Sequence, residues 1–531
     1  MHTPPAESGL RKASRASSHR TVAGPGYPSL MGAEGARRGA WAGLVAGLGA
    51  VAAMYVAALL TGMRGLPDLL QQQILSVMPG PVFGFLIDNL QHAGKVIEEA
   101  GLIAAMVAML AGLGAAAGYI SVTRGTPRAG LIAGAVAWLL VALVALPLAG
   151  EGLLGLNTGL TTPVVWALVF VVYWLVWEYA WTQRAPAGGE APIDVDRRRI
   201  VTLVPVLIGA GSLVLIGALK VPDWLRAVVA PPESGLTGPV PEITPVGNFY
   251  RVSKNFTDPV VSARGWSLSV SGAVNRSLRL SYQDLQAVPS VSQYVTLECI
   301  SNDVGGDLMS TGKFTGVPLR DLLTMAEPRS GAAAVNFHAR DGYTESLPLS
   351  VVMDTPEIMV VHKLDDAALP DMHGFPARML IPGRYGMKGP KWLEEIEVAA
   401  SEGGGFWEQQ GWDSQAVVKT TARFDSPRDG AIVRLGAIDL AGVAFAGRRG
   451  VRSVEWSADS GRTWSAAELK APLSPLTWVL WRATWTPTGE GVHPLVVRAR
   501  DGGGDLQSSM QAASYPSGAS GFHAVRVTVG R

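Results

Sequence analysis

The 531-residue sequence contains one cysteine, Cys299. A single thiol excludes an internal disulfide framework, a cysteine-ligated iron–sulfur cluster, a CxxCH haem attachment and a Cys-rich zinc site. Charge is scarce as well: Asp, Glu, Lys and Arg make up 16% of the chain, against roughly 25% in soluble proteins. The charges nearly cancel, to a net +1, so whole-chain electrostatics offers no footing for a nucleic-acid partner. Histidine is thin where a haem would need it. His92 is the only one between residues 39 and 219, and a b-type haem held between helices needs two facing ligands. What is abundant is apolar residues, 48%, and glycine, 63 residues. That composition excludes disorder and a pure coiled coil, and the length suggests about two or three domains.

The apolar residues are unevenly spread. Gly39–Met63, Leu102–Thr123, Ala129–Gly150, a span within Thr161–Trp177 and Ile200–Leu219 carry no Asp, Glu, Lys or Arg. Each is about 20 residues long, enough to cross a hydrocarbon core of roughly 30 Å as a helix, the form that satisfies its own backbone in lipid. Gly43, Gly47, Gly112, Gly114 and Gly118 suit close helix–helix contact. Basic residues fall on alternate loops: Arg11, Lys12, Arg15, Arg20, Arg37 and Arg38 before the first span, Arg124 and Arg128 after the second, Arg184 and Arg197–Arg199 after the fourth. The positive-inside rule then places the N-terminus in the cytoplasm and everything after Leu219 outside it. Between the first two spans, Leu66–Gly101 contains Pro79, Pro81 and Asp88 and reads as an external or re-entrant segment. The stretch Asp196-Arg197-Arg198-Arg199-Ile200-Val201 fits two descriptions, a plain positive-inside flank or a twin-arginine signal for export of a folded domain.

Beyond Lys220 the chain changes character. Pro231, Pro232, Gly235, Gly238, Pro239 and Pro241 mark a linker. Strand-like runs at Trp266–Val274, Tyr294–Glu298, Ala334–His338 and Ile358–His362 alternate with helix candidates at Ser281–Gln286 and Leu319–Met325. From about Ser414, short strands at Ile432–Leu435, Leu440–Phe445, Val451–Ser457, Trp478–Thr486 and His493–Arg500 are separated by turn signals, the pattern of an antiparallel β-sandwich.

Two stretches could carry chemistry. The first is VTLECISNDVGGDLMSTGKFTGVPLRDLL around Cys299. A lone cysteine is either a buried small hydrophobe or a soft thiolate ligand, and as a ligand it needs a cofactor to supply the other donors. The second is LPDMHGFPARMLIPGRYGMKGPKWLEEIEV, where His373, Arg378, Arg384, Lys388 and Lys391 alternate with Gly and Pro. It is either an ordinary solvated basic loop or a phosphate cradle.

Together these stretches resemble the sulfite oxidase family of molybdopterin enzymes, over about residues 241–531. TLEC, Asn302 and TGVPLRDLL resemble the segment bearing the molybdenum-ligating cysteine, which makes Cys299 both metal ligand and catalytic residue. DGYTESLPL is similar to the active-site tyrosine segment and assigns that role to Tyr343. HGFPARMLIPGRYGMKGPKWL resembles the cofactor loop, implying that His373, Arg378, Gly389, Pro390 and Lys391 contact the pterin and its phosphate. GNFYRV resembles the start of the pocket, with Asn248, Tyr250 and Arg251 at the matching positions. VRSVEWSADSGRTW is similar to the family's immunoglobulin-like dimerisation domain. The sequence departs from sulfite oxidases after Asn302, where Asp303 and Val304 stand in place of substrate-binding basic residues. Arg251, Arg448 and Arg449 are candidates to replace that charge, and no cytochrome b5-like domain is recognisable.

The implied organisation is a multi-domain chain. It comprises a cytoplasmic tail (1–38), an all-α bundle of five transmembrane helices (39–219), a linker (220–240), an α+β sulfite-oxidase-like molybdopterin domain (241–412) and an immunoglobulin-like β-sandwich (413–531). The implied protein is a multi-pass membrane oxidoreductase with an extracytoplasmic catalytic domain. It would take molybdopterin as cofactor, a small-molecule substrate and an external electron carrier, and the last domain could pair two copies. The competing reading is non-enzymatic, a membrane-tethered interaction or sensor protein with a degenerate enzyme fold, and molybdenum content separates the two.

Overall fold

The computed structural model describes residues 27–183, 195–228 and 240–530, apart from Pro79 and Thr257. The tail residues Arg11, Lys12, Arg15 and Arg20, together with Arg184 and most of the expected linker, lie outside the described residues. Among those described, five helices are long and apolar enough to cross a membrane: Met31–Thr61, Ala93–Arg124, Ala129–Leu148, Thr161–Thr182 and Leu203–Pro222. All five expected spans fall on them.

The chain divides into two compact units. The first comprises the chain up to Ala53 with Met106–Leu140 and Val164–Leu213. Its core depends on missing side chains. A Cβ added to Gly39 would sit 2.2 Å from the Gly114 carbonyl oxygen, and one on Gly118 would sit 2.3 Å from that of Gly35. Gly35, Gly39 and Gly43 recur at every fourth residue and face Gly114 and Gly118, so the two helices touch backbone to backbone. The Trp177 ring fills the space a side chain on Gly130 would need, and the Tyr173 hydroxyl donates to the Leu110 carbonyl at 2.8 Å.

The second unit comprises Met54–Ala105, Val141–Pro163 and everything from Val214 onward. The segment expected to be external or re-entrant is largely helical among its described residues: Leu66–Val77, a bend at Met78, then the start of the 45-residue helix Gly80–Arg124. Pro81 falls in that helix's first turn, where a missing N–H leaves no bond unmade. At 1.5 Å per residue the helix is about 67 Å long, twice what a bilayer core requires. Its middle is tied down by a buried pair, Lys220 Nζ to Glu99 Oε1 at 2.6 Å, with Trp224 Nε1 donating to Glu99 Oε2 at 2.7 Å.

Two five-stranded sheets follow. In one, Leu278–Ser281, Ser267–Gly272, Leu393–Ala399, Ala334–Ala339 and Thr344–Pro348 lie in that spatial order. The other runs Val291–Glu298, Met309–Pro318, Met359–Leu364 and Ala367–Ala368, with Arg378–Leu380 also paired to Met359–Leu364. The helix Leu319–Ala326 buries Leu319, Leu322, Leu323 and Ala326 on one face against the first sheet's core. The remaining strands form a sandwich of a four-stranded and a five-stranded sheet. Its core draws Phe424, Trp481 and Trp485 from one sheet and Trp456, Val497 and Val527 from the other.

Candidate functional site

A cavity of about 120 Å³ lies in the second unit, lined by the loops around Cys299 and His373 that follow the strands of the first two sheets. Cys299 is placed there by the end of strand Val291–Glu298. Its N–H donates to the Leu308 carbonyl at 2.9 Å, and the loop between them is closed by Asn302. The Asn302 amide donates to Glu298 Oε1 and accepts from the Leu308 N–H, both at 2.9 Å. Asn302 is thus a loop brace. The thiol lies 3.1 Å from the Ser301 hydroxyl, and burial pushes its pKa up, so a metal would have to displace its proton.

The basic loop is not solvated. Arg378 is 7% exposed and donates to the carbonyls of His373 and Gly389 at 3.3 and 3.4 Å. Among the described residues no carboxylate pairs with it. His373 is 3% exposed, its Nε2 is buried without a hydrogen-bond partner, and burial followed by the charges of Arg378 and Lys391 brings its pKa down to about 3. Lys391 donates to the carbonyls of Val252 and Met372 at 3.2 and 3.1 Å, and burial lowers it to about 8. Gly374, at φ +107°, lets the chain turn here, since a Cβ would press on Lys391 and Arg378 at 3.0 and 3.1 Å.

Tyr343 reaches the same cavity from the turn after Ala334–Ala339. Its hydroxyl donates to the Met387 carbonyl at 2.6 Å, and burial holds it protonated far above neutral pH. Tyr250, Arg251, Gly389 and Pro390 also line the cavity. Of the expected site residues only Asn248 is not brought there: it is exposed at the end of a 3₁₀ turn. Arg448 and Arg449 do not supply charge to the cavity either, being tied to Glu357 at 3.2 Å and Asp501 at 2.8 Å. Asp303, which stands in place of a substrate-binding basic residue, lies outside the cavity lining.

Sequence reasoning missed two buried groups behind the site. Lys388, on a loop read as either solvated or a phosphate cradle, is 1% exposed and sits 2.5 Å from Glu345 and 2.6 Å from Glu408, where burial pushes Glu345 up to about 8. Lys254 donates to the Asp341 carbonyl at 2.7 Å, and Asn255 donates to Asp341 Oδ2 at 2.9 Å. The polar run Ser253-Lys254-Asn255 directly after Arg251 was the available signal for the second group.

A buried guanidinium held only by carbonyls, and an imidazole nitrogen with no hydrogen-bond partner, beside a second cation, are costly unless an anion completes them. The cavity is therefore built for an anionic group with a soft-metal position at the thiol, and a phosphate-bearing pterin that carries molybdenum fits that donor set. Comparison with known proteins agrees. Residues 255–407 match the family model for an oxidoreductase molybdopterin binding domain. Mitochondrial sulfite oxidase of Mus musculus is 30% identical over 286 residues, covering 45% of this chain and 52% of the relative. That of Homo sapiens is 30% identical over 337 residues, covering 55% and 61%. The solved structure of the sulfane dehydrogenase SoxCD from Paracoccus pantotrophus shares the fold at a TM-score of 0.50 and 20% identity, over 56% of this chain and 86% of that one. Residues 255–407 are thus a molybdopterin-binding oxidoreductase domain. It is similar to these sulfite oxidases and is joined here to apolar helices that fit a membrane domain. The chain spans about half to three-fifths of the length of these two curated relatives.

Proposed function

We propose that the protein is a membrane-anchored molybdopterin oxidoreductase that performs two-electron oxygen-atom transfer on a small substrate. The observation that carries this reading is the buried set of Arg378 and His373 Nε2 without anionic partners, facing the same cavity as Cys299. His373, Arg378 and Lys391 would hold the pterin phosphate, with Tyr250, Arg251, Gly389 and Pro390 along its length, and Cys299 Sγ would ligate molybdenum. When bound, the cofactor supplies a metal that cycles by two electrons and exchanges an oxo group. The chain's own residues position it. Tyr343 stays protonated at the cavity wall, its hydroxyl held on the Met387 carbonyl and able to turn to a bound ligand only by giving up that bond, and Trp407 and Trp412 add apolar surface to the lining. Lysines and arginines at the cavity favour an anionic or strongly dipolar substrate, such as sulfite, a sulfoxide or an N-oxide.

The alternating basic loops support a cytoplasmic N-terminus and an extracytoplasmic catalytic domain. The two-sheet sandwich supports an immunoglobulin-like reading and a pairing role for residues 413–531. The test is the full chain in detergent, assayed for metal and then against sulfite, sulfoxides, N-oxides and nitrate. About one molybdenum per chain with turnover of one class is expected, and a metal-free, inert protein would overturn the assignment.

A further inference from the structure

The helical segment between the first two spans belongs to the same compact unit as the cofactor site. Both ends of it meet the site's supports. Met78 packs on the core cluster that contains Ile300, Tyr343, Met387 and Phe406. Helix Leu66–Val77 lies against the 3₁₀ turn Glu408–Gln410, where Glu408 receives Lys388. Further along, Lys95 on the helix Gly80–Arg124 aims its ammonium at main chain, donating to the carbonyl of Ser253 and, at 2.7 Å, to that of Asn255.

Those two carbonyls bracket Lys254, and from there the hydrogen bonds run straight to Tyr343. Lys254 Nζ donates to the Asp341 carbonyl at 2.7 Å, Asn255 Nδ2 to Asp341 Oδ2 at 2.9 Å, and Asp341 Oδ1 accepts the Tyr343 N–H at 3.0 Å. On the other side, Ser253 Oγ donates to Asp258 Oδ1 at 2.5 Å, and Asp258 holds Arg251 at 2.7 Å. A charged donor clamped on two main-chain carbonyls fixes the peptide planes between them more firmly than a neutral one could. The clamped segment carries Arg251 and Lys254, both on the cavity wall.

We propose that Lys95 is a positioning residue of the cofactor site: it fixes the segment 251–255 and, through Asp341, the place of Tyr343. The long helix then does more than anchor the chain, because it sets the geometry of two walls of the cavity. This rests on the family-level function proposed above, but its test can be read apart from it.

The test compares Lys95→Met and Lys95→Arg with the wild type, as full chains in detergent. Hydrogen exchange at the Asn255 and Tyr343 amides should speed up about tenfold in the methionine variant, the size expected when hydrogen bonds from a charged donor are lost. It should return towards wild type in the arginine variant. At equal protein, the methionine variant should also lose molybdenum or shift its Mo(V) paramagnetic spectrum, with kcat falling more than KM rises. Unchanged exchange at Tyr343 would overturn the proposal. So would faster exchange with molybdenum content, spectrum and kinetics all intact, because Lys95 would then only fasten a loop. If the wild type binds no molybdenum, the functional reading fails by itself, and exchange at Tyr343 alone decides whether Lys95 positions that residue.

Discussion

At the residue scale the site is a balance of burial and charge, and each group can be tested by what it loses. Cys299→Ser keeps size and the Ser301 contact, so the fold should lose only about 1 kcal/mol, while the harder, less acidic hydroxyl should abolish oxygen-atom transfer. Wild-type turnover in that variant would remove Cys299 from the metal. Arg378→Ala with Lys391→Ala deletes two charge-assisted contacts worth about 1.5–3 kcal/mol each. Pterin retention should therefore fall at least about tenfold, as read by fluorescence of the released cofactor, and full retention would make both residues structural. His523 gives a pH dependence. Burial, and then the charge of Arg423, bring it down to about 4, and its neutral Nδ1 accepts the Phe424 N–H at 3.0 Å. In the unfolded chain it titrates near 6.5, so between those values the unfolded state binds more protons. The stability it lends is complete above pH 6.5 and is lost as pH falls towards 4, by about 1–2 kcal/mol after screening. Calorimetry of the wild type across that window should show the loss, and His523→Asn should show a shallower one; equal slopes would exclude His523 as its source. Cys299 and the basic loop stood out as a lone thiol and a Gly/Pro-spaced cationic run, but their roles, and Tyr343 altogether, came from the resemblance of their segments to the sulfite oxidase family. Lys388 was misplaced because its acidic partners, Glu345 and Glu408, are 43 and 20 residues distant.

At the scale of elements, the spans were legible because lipid dictates both length and composition. The strands the sequence exposed were those with β-branched runs, such as Val451–Ser457. Met309–Pro318 stayed hidden although it is ten residues long. It is buried along nearly its whole length and so shows no alternation, and its Gly, Thr and Pro content reads as loop. Between the spans, the glycine contacts make a sharp prediction. Gly39→Leu or Gly118→Leu would drive a side chain into main chain at 2.2–2.3 Å, costing about 3 kcal/mol or more because backbone cannot step aside. Gly112, with nothing within 4 Å of its would-be Cβ, should accept alanine and gain up to about 1 kcal/mol. Thermal unfolding in detergent distinguishes them; equal melting temperatures for Gly39→Leu and Gly112→Ala would refute close packing along this stripe.

At the scale of the whole molecule, topology is the open quantity with the clearest test. Arg197→Lys with Arg198→Lys preserves charge, so a positive-inside flank tolerates it, whereas a twin-arginine signal does not. The double variant is expected to leave the earlier spans inserted and strand the catalytic half inside, protected from protease added to spheroplasts. Digestion equal to the wild type would leave the cluster as a topological anchor. Proline and glycine suggest a boundary at residues 220–240, but the two compact units do not divide there, since everything from Val214 onward falls in one of them. The allegiance of Leu66–Gly101 was not legible either, because Lys95 meets main chain 158 and 160 residues away. That allegiance has a practical corollary for anyone wishing to crystallise or assay the enzyme without lipid. A chain begun at residue 240 would keep Cys299 and the whole basic loop, yet it would uncover the apolar seat of Met78 and leave the Ser253 and Asn255 carbonyls to water. Its expected behaviour is poor solubility and weak cofactor uptake, and grafting residues 54–105 back as a separate peptide is the natural rescue.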